Sequence, residues 1–133
     1  ALKTTGVDPS RFVFLGHVPP ETLADVLRRS DLHLYPSAPF VVSWSLFNAI
    51  STGVVVLGAD VEPVREVIEP GVNGLVAPLF DVDAWAEQAL RVLDDPAAFA
   101  PLGEAGRRMV AERYGIDASI PRLKGFFERV AGG

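Results

Sequence analysis

The chain has 133 residues, enough for one domain with a real core. Its 49% hydrophobic and 22% charged composition excludes a disordered chain, and its net charge of −5 makes nucleic acids and anionic membrane surfaces poor partners. The absence of cysteine excludes disulfides, thiolate metal sites and cysteine nucleophiles.

Residues 1–10, "ALKTTGVDPS", read as a leader without the apolar core of a signal peptide. "RFVFLG" predicts a short buried strand over Phe12–Leu15, closed by Gly16. "PPETLADVLRRSD" predicts a helix with Pro20 in its first turn. Leu23, Val26 and Leu27 form its apolar face, and Arg28 and Arg29 suit the negative end of its dipole. "LHLYP" predicts a second strand, with His33 a satisfied core histidine between Leu32 and Leu34. "PSAPFVVSWSLFNAISTG" predicts a loop running into a helix, with Ser43 at the N-cap and Gly53 just past the end. "VVVLGAD" predicts a third strand buried on both faces. "PVREVI" gives one or two helical turns, "GVNG" a turn and "LVAP" a short fourth strand.

Residues 11–78 thus form an alternating β/α core, and residues 79–133 a set of C-terminal helices, all within a single domain. "DVDAWAEQALRVLDD" predicts an acid-capped amphipathic helix with Trp85, Ala89, Leu90 and Leu93 inward. "PAAFAPLGEAGRRMVAERYG" predicts a broken helix pair. The final segment predicts a docking helix with Ile120, Leu123, Phe127 and Val130 on one stripe. No apolar run reaches the roughly 20 residues needed to span a bilayer. The expected location is cytoplasmic, with any membrane association peripheral and through a partner.

Strands alternating with helices imply an α/β, doubly wound, Rossmann-like parallel sheet of about four strands. Ligands of such sheets bind outside the carboxyl ends of the strands. That edge comprises Gly16–His17, Pro36–Ser43, Gly58–Asp60 and Ala77–Pro78. The second place ends at a helix N-terminus, where N–H groups of Val42, Ser43 and Trp44 and a hydroxyl of Ser43 or Ser45 would suit an anion. Ser43 is also readable as a plain N-cap, which every helix start can have. His17 is readable as a ligand contact or a surface histidine. Arg65 either meets a phosphate or pairs with Glu62, Glu66 or Glu69. No His/Asp/Glu cluster has metal-ligand spacing, and no Gly-rich phosphate fingerprint is present.

The spaced segments "FVFLGHVPPETLADVLRRSDLHLYPS", "STG" and "VVVLGADVEPVREVIEPGVNGLVAPLFDVDAWAEQALRVLDD" resemble glycosyltransferase family 4 from Arg11 to about Tyr114. The resemblance implies part of the C-terminal donor-binding domain of a GT-B-type, retaining nucleotide-sugar enzyme. It implies a nucleoside diphosphate sugar as co-substrate, and no separate cofactor or metal. Gly16, His17 and Val18 would lie against the nucleobase, and Val41, Val42, Ser43 and Trp44 against the diphosphate and sugar. The family's two glutamates fall at Phe40 and Asn48. Asn48 offers a ribose diol one amide oxygen in place of a carboxylate. Losing a charge-assisted bond costs on the order of 1–3 kcal/mol, roughly tenfold to a hundredfold in affinity.

The family's preceding strand–helix units, with their phosphate-binding arginine and lysine, and its acceptor domain have no counterpart in this sequence. The family's sheet order would put the absent strands between "FVFL" and "LHLY". The gap is then closed by direct pairing, filled by swapping with a second copy, or left as an open edge. The expectation is a donor-binding part of a glycosyltransferase, inactive as an isolated chain. The alternative is a non-catalytic binding or self-assembly module on the same fold.

Overall fold

The computed structural model describes residues 6–132, so residues 1–5 of the leader and Gly133 lie outside the described residues. Pro9–Arg11 forms one 3-10 turn, capped by Asp8, whose carboxylate accepts from the Ser10 N–H. The elements that follow are α1 (Pro20–Arg29), β1 (Leu32–Tyr35), α2 (Trp44–Thr52), β2 (Val55–Ala59), α3 (Glu62–Arg65), β3 (Leu75–Ala77), α4 (Val82–Asp94), α5 (Pro96–Tyr114) and α6 (Ile116–Ala131).

The sheet is parallel with order β1-β2-β3, and helices connect its strands as the α/β pattern predicts. Every residue of β2 is buried, because the strand is paired on both edges and covered on both faces. On one face Val56 and Tyr35 join Leu27, Leu46, Ile50, Val64, Ile68 and Val110 in the main core cluster. Alternation turns Leu57 to the other face, and α4 packs across all three strands. Gly58 lets α3 approach closely: a Cβ there would lie 2.8 Å from Val64 Cγ1.

Among the described residues three strands form, where about four were expected. Phe12–Leu15 carries no regular structure and is unpaired, and Val13 and Phe14 are about 80% exposed. An apolar run becomes a strand only when a neighbour takes its backbone N–H and C=O groups. Among the described residues no strand does so, and the outer edge of β1 stays open.

The helices show three further departures. In α4 the inward residues are Trp85, Ala89 and Val92, at i, i+4 and i+7, while Leu90 and Leu93 are exposed. The Trp85 indole N–H donates to the Pro78 carbonyl at 2.9 Å, which fixes that rotation. The expected helix pair is instead one helix: α5 runs through Pro101, is capped by Asp95 and presses through buried Gly103 and Gly106 against the end of α2 and the Asn73 turn. The stripe of α6 is present, but Ile116, Ile120, Leu123, Phe127 and Val130 are each more than half exposed. The docking partner expected for it is not among the described residues.

Candidate donor site

Parallel pairing brings Tyr35, Ala59 and Ala77, the last residues of the three strands, to one edge of the sheet. Residues 36–43 leave Tyr35 and deliver the chain to the start of α2 on that edge. Gly53 ends α2 with φ of 83°, the left-handed conformation a C-terminal glycine supplies.

Ser43 occupies the N-cap position, but its side chain makes no capping bond. The Ser43 N–H donates to the Tyr35 hydroxyl oxygen at 3.2 Å. The Ser43 Oγ lies 3.0 Å from the same oxygen and within hydrogen-bond reach of the Ser45 Oγ. The first-turn N–H groups of Trp44 and Ser45 therefore receive no side-chain oxygen and stand at the positive end of the helix dipole. Burial pushes the Tyr35 phenol up, but the hydrogen bonds led by those from Ser43 outweigh it and hold the phenol below its ordinary value.

The surrounding side chains are apolar or neutral. Phe40 and Trp44 are 82% and 83% exposed, Val41 is exposed, and Val42 packs partly against the core. Asn48 is exposed one turn further along α2 and lies on an open groove of about 400 Å³ with Trp44, Phe47, Ser51, Arg107 and Tyr114. Tyr114 packs edge-on against Phe47, with ring centroids 5.0 Å apart.

Arg65 is engaged, and not by the glutamates expected for it. It holds Asp60 in a two-pronged pair, with Nη2 2.8 Å from Oδ2. The bond from Arg65 holds the Asp60 carboxyl below its ordinary range. Gly16 adopts φ of 64°, which explains the glycine, and His17 is exposed. The turn Gly16–Val18 enters α1 directly, but no strand ties it to the sheet edge. The fold thus gathers Val41–Trp44 and Asn48 on one loop–helix unit, with Asp60 and Arg65 just past the end of neighbouring β2.

Tyr35 was not among the residues singled out from the sequence. Its only signal there is a hydroxyl at the last position of a strand that feeds the loop. His33 also departs from expectation: its Nε2 is buried without a hydrogen-bond partner among the described residues, and burial lowers its basicity. Among the described residues no group of three His, Asp or Glu side chains could hold a metal.

Residues 1–95 match the family model described as glycosyl transferases group 1. The chain belongs to this family. Among its relatives, the group 1 glycosyltransferase chain is 30% identical over 122 residues to 2-deoxystreptamine glucosyltransferase of Streptomyces kanamyceticus, covering 92% of this chain and 32% of that one. It is 32% identical over 104 residues to N-acetyl-alpha-D-glucosaminyl L-malate synthase of Bacillus anthracis, covering 78% and 27%. Its fold matches sucrose-phosphate synthase from Thermosynechococcus elongatus with a TM-score of 0.84 and 25% identity, over 93% of this chain and 31% of that one. It also matches Anabaena Alr3699/HepE, solved with UDP and glucose, with a TM-score of 0.85 and 19% identity over 96% and 34%. The chain thus spans about a third of the length of the relatives it matches.

Proposed function

We propose that this chain is donor-binding machinery of a glycosyltransferase that moves a sugar, with retention, from a nucleoside diphosphate sugar to an acceptor. The observation that carries the reading is the open first turn of α2 at the carboxyl edge of the sheet, in a chain of this family. Unpaired N–H groups and the helix dipole suit a diphosphate, and such groups stabilise the charge that develops on a departing one. The UDP and glucose bound by a neighbour of the same fold support the same ligand class. Asn48 would face the ribose and Phe40 the sugar, neither with a carboxylate. On that ground the isolated chain binds donor weakly and does not catalyse transfer.

Calorimetric titration with UDP, GDP and UDP-glucose tests this. Millimolar or tighter binding to one of them is expected, weakened about tenfold or more in Ser43→Pro. No heat with any of the three overturns the donor reading. Robust sugar transfer by the purified chain would overturn the inactivity.

A second reading, a self-assembling module on the same fold, draws on the open edge of β1 and the exposed stripe of α6. A concentration-dependent dimer in sedimentation, without nucleotide binding, favours it.

A further inference from the structure

We infer that Tyr35 is a positioning residue for the diphosphate, because it holds the Ser43 hydroxyl away from the helix N–H groups that a phosphate would use. The inference rests on the donor reading above.

A serine at an N-cap ordinarily turns its Oγ onto the N–H of the second or third helical residue. Ser43 has the extended backbone of an N-cap, with φ of −85° and ψ of 156°, yet makes no such bond. The cause is local and visible. Tyr35 is buried at the end of β1, and its hydroxyl meets both the N–H and the Oγ of Ser43. The N–H bond uses the phenol oxygen as an acceptor. The phenol proton then has the Ser43 Oγ, 3.0 Å away, to donate to. The Ser43 Oγ also lies within hydrogen-bond reach of the Ser45 Oγ, and Ser45 is exposed.

The chain of hydroxyls therefore runs from the core to the surface. It leaves the Trp44 and Ser45 N–H groups at the helix start without a side-chain oxygen, both suited to phosphate oxygens. Tyr35→Phe keeps the ring and its packing but frees the Ser43 hydroxyl. The freed hydroxyl can cap α2 and compete with phosphate for the same N–H groups.

A double-mutant cycle between Tyr35 and Ser43 tests the mechanism, with UDP and uridine as probes and the thermal midpoint as a check on folding. Tyr35→Phe is expected to weaken UDP about tenfold and uridine less than twofold. In a Ser43→Ala background, where no hydroxyl remains to cap the helix, Tyr35→Phe is expected to change UDP affinity less than twofold. A further tenfold loss in that background, or equal losses of UDP and uridine, overturns the role of Tyr35 alone. A wild-type chain that binds no UDP overturns the donor reading on which it rests.

Discussion

His33 shows how one residue couples the fold to pH. It sits opposite Val56 in the β1–β2 ladder, with a ring nitrogen that is buried and unpartnered. Burial disfavours the imidazolium, so the folded pKa lies below the ordinary value of 6.5. The unfolded chain then binds more protons than the folded one between those two values. Stability is full above the unfolded pKa and falls as pH drops through 6.5 toward the folded value. The thermal midpoint is expected to decline between about pH 7.5 and about pH 5.5, and His33→Leu to flatten that decline. Equal slopes for wild type and variant would remove His33 as the cause. The sequence placed this histidine inside a strand correctly, but whether its nitrogens find partners depends on the helices packed over it.

At the scale of elements, both bounds of α2 were legible, but only Gly53 acts within its own turn, since the Ser43 side chain turns to Tyr35 and makes no capping bond. β2 was legible because a β-branched run flanked by glycines has few other uses. That Phe12–Leu15 would not form the expected strand was not legible, since pairing is a property of two segments. The Tyr35–Ser43 bond, eight positions apart across a loop, and the Asp60–Arg65 pair across the β2–α3 turn are likewise tertiary events. The joint between α5 and the end of α2 had no sequence signal beyond two small residues. A Cβ on Gly103 would overlap the Gly53 carbonyl oxygen. Gly103→Ala is therefore expected to destabilise by about 2 kcal/mol or more, read by urea unfolding, despite the better helix propensity of alanine. An unchanged midpoint would show that α5 can shift away at little cost.

The whole molecule carries much apolar surface for its size. The open edge of β1, the arm at Phe12–Leu15 and the stripe of α6 are each unpartnered among the described residues. The stripe adds little to stability as it stands, because a hydrophobic side chain stabilises only through the area it removes from water. Ile120→Glu with Phe127→Glu is expected to lower the fluorescence of the dye ANS bound to the chain while moving the thermal midpoint by no more than about 4 °C. A collapse of the midpoint would mean that α6 is covered in solution.

The Gly103–Gly53 contact also has a mechanical consequence. Backbone meets backbone there, so no side chain can yield and the last turn of α2 is clamped. The other end of α2 is held by Leu46 in the core and, through Ser43, by the Tyr35 hydroxyl at the end of β1. The helix is thus pinned at both ends, by backbone against α5 and by a side-chain hydroxyl against the sheet. A load placed on its start would pass into β1 through Tyr35.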